Sequence, residues 1–499
     1  MTQAPLLPYG SPTLLSALSE TFSFHASPES FITSRVLTFR SQHPDLADAR
    51  VPIHAKVLNR NVAVISSYQH IKFLLCSPEV TSKLSSSKAY DELMAPFFPP
   101  PNLLLADPPG HHQYKDTWRH RIADLPTKIR PMVQSITSLH FCNIPSSSTI
   151  DLYDSMKTLS WQLILGAFLS SANDIADIPP DFVRLQEALL RGQFSLFPVS
   201  VSTPFWKSPR AKGIAARERL QSLLRERVDS LPGGGCPFAP SSTAEKDDVA
   251  KHLLLFTSSL AVKALASLLT ATLLNIYLAS SSHEGRMNMR GEGNLASKLR
   301  SLAGIQRCDL IDSIIIETER LSPPVVGIMR RTTADIVLPA PDNEGREEKE
   351  RGRETLVPEG WDIWMYFVGA GRDPQIYGDT AETFVADRFL SKDSKDAEEG
   401  FAFGAGEKGC LGREVVREIV RGVVSVSLGF DGDVGDGGEG GGKGVGLHVD
   451  ESVLPLGVQG WLGHKQNVDP ADWARDMKQL PTQRPARAVV VRVEHDFQT

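Results

Sequence analysis

Phe403-Gly404-Ala405-Gly406-Glu407-Lys408-Gly409-Cys410-Leu411-Gly412 sets one cysteine in a glycine-rich loop, just ahead of a helix-forming run. The glycines let the backbone pass close to a flat ligand and adopt dihedrals that other residues avoid. A thiolate presented in this way can be the axial ligand of a haem iron, its donor strength tuned by nearby backbone N–H groups. Phe403 is placed to pack on the loop and keep water away, and Lys408 to meet a carboxylate. Such a cofactor supplies the difficult chemistry, and the protein decides what enters. Taken alone, the same residues also describe a glycine turn before a buried helix.

Two further stretches gain weight from this loop. In Glu317-Thr318-Glu319-Arg320 the outer pair sits three apart and shares a helix face. Leu321-Ser322-Pro323-Pro324 closes that helix, and Arg330 follows. In Asp107-Pro108-Pro109-Gly110-His111 the prolines set a rigid helix entry, and Lys115, Trp118 and Arg119 come next. Those basic side chains can reach an anionic cofactor edge or form an ordinary basic surface.

In this order the three stretches resemble the cytochrome P450 family, from about residue 35 to 485. The family's cysteine loop is matched by Phe403, Gly404, Gly406, Cys410 and Gly412. Lys408 stands where arginine is usual, which keeps the charge but loses the bidentate fork. Glu317 and Arg320 match the family's Glu-x-x-Arg, and Arg388 matches the third partner of that network. The resemblance implies a mainly α fold, a helical prism with small β-sheets around a buried haem b. Cys410 would be the metal ligand, and Glu317, Arg320 and Arg388 the structural network. His111, Lys115, Arg330, Phe403, Lys408 and Gly412 would hold the cofactor, with Trp118 and Arg119 as secondary candidates.

The central apolar helix, expected over Asp247–Leu278, departs from the family. Aligned on Phe256 and Leu265, Ser258 falls at the usual glycine, Leu260 at the acid and Ala261 at the threonine. Leucine and alanine cannot donate a proton for O–O cleavage. The expected function is therefore non-classical haem-thiolate chemistry on a lipophilic small molecule. It would be rearrangement or dehydration of an oxygenated substrate, or peroxide-supported oxidation, without an essential redox partner. The alternatives are a dioxygen- and reductase-dependent monooxygenase with a substituted relay, and a haem-binding protein without catalysis. Phe197, Phe256, Lys263, Val325, Val326 and Ile328 are the expected substrate pocket. Lys263 is read first as a structural or surface residue, with a carboxylate anchor as its alternative.

Composition narrows the rest. Hydrophobic residues make up 41% of 499, enough for a substantial core, and the net charge of -6 gives no basic field for nucleic acid. Five cysteines with no Cys-x-x-Cys pair argue against a disulfide framework or structural zinc. The expected organisation is an N-terminal extension over 1–34 without a membrane anchor, then one catalytic domain over 35–499. That domain carries a glycine-rich insertion at 432–446. A cytoplasmic or peripheral membrane location is expected, with no transmembrane segment.

Overall fold

The computed structural model describes residues 14–42, 52–57, 60–169, 181–195, 199–230, 238–240, 242–277, 295–339, 354–390, 398–430, 444–449, 477–478 and 482–495. It is mainly helical, with a five-stranded sheet at one side. The strand order is Ile53–Val57, Arg60–Ile65, Asp362–Tyr366, Gly327–Thr332, Leu84–Ser85. The first two strands form a hairpin with Ile53 opposite Val64. The second runs parallel to Asp362–Tyr366, with Val62 opposite Asp362. Their Val and Ile side chains are buried because one sheet face meets a helical core and the other meets the N-terminal helices. Asp362, fully buried, accepts from Arg331 Nε at 2.9 Å and from Arg60 Nη1 at 3.3 Å. That pairing removes the cost of an isolated interior charge.

The boundary expected at residue 34 falls inside a helix. Leu14–Ala26 and Pro28–Gln42 lie against the sheet, and Phe24, Phe31 and Ile32 join Trp364 in one cluster. The Phe24 and Trp364 rings meet edge to face at 4.7 Å. The segment 77–110 holds the short helices Pro78–Thr81 and Ser86–Ala89. The glycine-rich 432–443 lies outside the described residues, and strand Val445–Val449 begins before the expected end of that insertion.

The helix Gly304–Leu321 buries Leu310, Ile311, Ile314 and Ile315, positions spaced for one face. Arg413–Ser427 buries Val415, Ile419, Val420, Val423 and Val424 in the same way. Between these and the rest of the core runs the central rod, and here the expectation fails in one respect. The rod is two helices, Thr243–Phe256 and Ser259–Tyr277, with a break at Thr257–Ser258. The run Thr-Ser-Ser explains the break. The Thr257 hydroxyl donates to Leu253 O at 2.7 Å, and Ser258 Oγ accepts from Ala261 N at 3.3 Å. Short hydroxyl side chains offer the backbone a local alternative to the helical ladder, and serine caps the new helix. Glu245–Tyr277 is long and apolar enough to cross a membrane, but 67% of its most apolar window is buried inside the molecule.

Candidate functional site

The cysteine loop is pinned before its thiol is aimed. Cys410 N donates to Phe403 O at 2.8 Å, and Gly404 N to Phe401 O at 2.8 Å. Gly406 has φ +63° and approaches Leu75 so closely that a Cβ would lie 2.1 Å from its carbonyl oxygen. Only glycine satisfies both conditions there. Phe403 sits beneath the guanidinium carbons of Arg413 and Arg417, at 6.0 and 5.9 Å from the ring centre.

Two properties of Cys410 look opposed. The residue is exposed, yet its surroundings are those of the interior, and burial pushes the thiol pKa up. Both hold when the sulfur faces a hollow inside the protein. The backbone N–H groups of Gly412 and Arg413 donate to the sulfur, and the charges of Lys115 and Arg413 also favour the thiolate.

Behind the loop lies a dense set of buried charges. Arg320 grips Glu317 with two bonds of 2.7 Å, and both side chains are fully buried. Arg388 Nε reaches the two Glu317 oxygens at 3.1 and 3.0 Å. Val385 N donates to Glu317 Oε1 at 2.9 Å. Arg320 Nη1 donates to Gly371 O and to Ala381 O, the latter at 2.7 Å. Arg388 Nη2 donates to Thr380 O at 3.0 Å. Full use of these donors is what makes an interior ion triad tolerable. A second set, absent from the sequence reading, adds Glu319, held by Arg417 at 3.1 Å from Nε, and Glu399, 2.9 Å from Arg417 Nη2.

The cofactor-edge candidates divide. His111, Lys115, Trp118 and Arg330 are buried. Trp118 Nε1 and His111 Nδ1 have no hydrogen-bond partner. Arg330 donates to Met329 O at 2.7 Å and meets no carboxylate in an ion pair among the described residues. Burial, with Lys408, Lys115 and Arg330 nearby, pushes the His111 pKa down to about 4. Burial and Arg330 push Lys408 down to about 7. Lys408 donates to Ser86 Oγ and Ala106 O, both at 2.7 Å, with Asp107 at 4.0 Å. Lys115 donates to Glu407 O and, at 3.0 Å, to Gly409 O. Arg119 does not join the group: it is exposed and pairs with Asp116 at 2.8 Å on its own helix. A thiol flanked by backbone N–H donors, an unpartnered Trp118 Nε1 and the crowded Lys115, Arg330 and Lys408, with Asp107 and Glu407 among them, fit a haem with its two propionates.

On the central rod, Leu260, Ala261 and Ala264 are half-exposed, whereas Val262, Leu265 and Ala266 are buried. They form one face of Ser259–Tyr277, and it carries no proton donor. Ser258 is buried and spent as a cap. Lys263 takes the structural role read first for it: its Nζ holds Glu187 Oε2 at 2.8 Å, on the neighbouring helix Phe182–Gln193. Val326 is buried and packs with Trp364 in the sheet cluster, just ahead of the strand Gly327–Thr332. Val325 and Phe256 are half-exposed, and Phe256 meets Trp118 edge to face at 5.0 Å. Ile328 packs on the sheet's helical side. Phe197 lies outside the described residues.

Comparisons with known proteins agree with this geometry. Residues 298–418 match the family model for Cytochrome P450. Cytochrome P450 85A1 of Oryza sativa subsp. japonica is 31% identical over 103 residues, 21% of this chain and 19% of that protein. Cytochrome P450 monooxygenase gsfF of Penicillium aethiopicum is 28% identical over 141 residues, 27% of this chain and 25% of that protein. The match thus spans only about a fifth to a quarter of these curated relatives' length. The solved structure of retinoic acid bound cyanobacterial CYP120A1 superposes over 99% of both chains, with a TM-score of 0.67 and 16% identity, a likeness of fold. Residues 298–418 are thus similar to the Cytochrome P450 family, and the fold of the chain is like that of CYP120A1; a cysteine-bound haem b is what that likeness points to.

Proposed function

We propose that this chain is a haem-thiolate monooxygenase that oxidises a lipophilic small molecule with dioxygen and with electrons from a reductase. The observation that carries this reading is the break at Thr257–Ser258. The rod opens, with hydroxyl side chains at the opening, beside the positions where the acid and alcohol are missing. Loss of the pair at Leu260 and Ala261 therefore does not remove every proton carrier from that region. One relative also carries monooxygenase in its name. The expectation of turnover without a reductase becomes the second reading.

Bound haem supplies dioxygen activation and electron storage. The chain's own residues do the rest. Cys410 Sγ ligates, with its charge moderated by the Gly412 and Arg413 N–H groups. Arg330, His111, Trp118 and Lys408 would hold the propionates of a bound haem. Leu260, Ala261, Phe256 and Val325 give an apolar wall that excludes bulk water and selects lipophilic substrates. The triad of Glu317, Arg320 and Arg388 keeps the backbone behind the loop in place. A cytoplasmic or membrane-surface location suits such an enzyme.

The second reading, rearrangement, dehydration or peroxide-supported oxidation, is favoured by one observation: Leu260, Ala261 and Ala264 put no proton donor on the open face. Product formation from a lipophilic substrate panel under labelled dioxygen separates the two. Product only with NADPH and a reductase, carrying one labelled atom, is expected. Unlabelled product without electron donors would establish the second reading. Haem binding without product under any condition would leave a non-catalytic protein.

A further inference from the structure

The helix Phe182–Gln193 does more at the break than cover it. Glu187 Oε1 accepts from Ser259 Oγ at 2.8 Å, and Oε2 from Lys263 Nζ at 2.8 Å. The preceding residue, Gln186, donates from Nε2 to Thr257 Oγ1 at 3.4 Å. Gln186 is fully buried, and its Oε1 has no partner. An interior carbonyl oxygen left without a donor is a place for a bridging water. Ser259 is adjacent to Leu260, the position where the acid is missing, and Lys263 lies one turn on. Three polar side chains of the rod are thus joined to two of the neighbouring helix, all at the break.

Resting on the monooxygenase reading, we infer that Glu187 stands in for the missing acid of the central helix, as a positioning residue that supplies protons through Ser259. Its carboxylate is about three-quarters buried, so one side still meets solvent. It can be reloaded there while the other oxygen faces the break. The Lys263 ammonium, Ser259 and the partial burial act together on it, and the two bonds hold its pKa below the ordinary value. The chain of custody is balanced. Glu187, a carboxylate at rest, first takes a proton from solvent; it then passes one to Ser259 Oγ as Ser259 gives its own to a water at the break, which leaves the carboxylate as it began. Ser259 is free to do this because a hydroxyl donates one bond and accepts two. No oxidant or reductant is consumed. The acid and its hydroxyl thus sit on different helices, joined where the two helices pack.

A purely structural latch would have the same contacts, and the test must tell the two apart. Glu187→Gln keeps an acceptor for Ser259 and removes the ionisable group. Holoenzyme with a reductase is compared with this variant and with Glu187→Asp. Product formed per NADPH is expected to fall on the order of tenfold in Glu187→Gln, with a larger solvent deuterium isotope effect and partial rescue in Glu187→Asp. Melting temperature and the substrate-induced spectral change should stay near wild type. The C–O stretch of the reduced carbon monoxide complex, which needs no turnover, should shift as the field at the break changes. Unchanged coupling and isotope effect, or losses that merely follow the melting temperature, would overturn the inference. Should wild type need neither NADPH nor dioxygen, the monooxygenase reading fails. An unshifted C–O stretch in Glu187→Gln would then overturn the seam as well, and a shifted one would retain it.

Discussion

The cysteine side and the central-helix side of this molecule solve the same problem, placing polar groups in an interior, in opposite ways. On the cysteine side the groups are charged, contiguous in short motifs and fully paired. Glu317, Arg320 and Arg388 use their donors and acceptors on each other and on four backbone carbonyls and amides. On the central-helix side the expected acid and alcohol are replaced by Leu260 and Ala261, and the polar groups come from two helices. The first side is built for rigidity, because removing one member of a buried ion triad strands the others. The second is built from neutral hydroxyls and one half-buried ion pair, which cost less to rearrange. The cysteine side of this chain thus keeps its short charged motifs, while the central-helix side draws its polar groups from two helices.

The largest effect that would break this comparison is expected on the cysteine side. Glu317→Ala should cost about 3–5 kcal/mol, because Arg320 is left fully buried without its carboxylate. The protein should then lose cooperative urea unfolding and fail to retain haem. A cost below about 1 kcal/mol would mean that the triad is not the rigid element.

A smaller effect sharpens the other half. Leu260→Glu with Ala261→Thr restores a proton donor to the open face. Product formed per NADPH should rise by on the order of tenfold, less than the ~10²-fold that a positioned acid can contribute, since Thr257 and Ser259 already offer hydroxyls. No rise would show that proton delivery is already sufficient at the break.

A further effect concerns the buried histidine between the two sides. His111 has a pKa of about 4 against an ordinary 6.5. Between those values the unfolded chain takes up a proton that the folded chain refuses, so stability falls as pH drops from 6.5 toward about 4. The haem-free protein should lose up to about 2 kcal/mol from this group between pH 7 and 5. His111→Phe should flatten that part of the slope, read from urea midpoints at the two pH values. Equal slopes would place His111 outside the buried cluster.

How legible each side was in the sequence follows from the same contrast. The loop from Phe403 to Gly412 and the pair Glu317–Arg320 are local patterns, so residue spacing carries them. Arg388 is 68 residues from Arg320, and only the family resemblance reached it. The break at Thr257–Ser258 was written in three consecutive hydroxyl residues, yet apolar periodicity on both sides hid it. Glu187 was missed because nothing in Phe182–Gln193 singles out one glutamate. Its role exists only where that helix meets Ser259 and Lys263. Arg119 was misplaced because a basic helix has two faces, and its own Asp116 was the nearer partner. Val326 was misplaced because its burial comes from Trp364, a contact far along the chain that local sequence does not show.

The most direct test is the reduced carbon monoxide difference spectrum of the haem-loaded protein beside that of Cys410→Ala. The account predicts the red-shifted Soret band of thiolate ligation in the wild type and its complete loss in Cys410→Ala, with helical circular dichroism retained. A thiolate band that survives in Cys410→Ala would contradict it, because the ligand would then be another cysteine and the loop from Phe403 to Gly412 would not be the haem site.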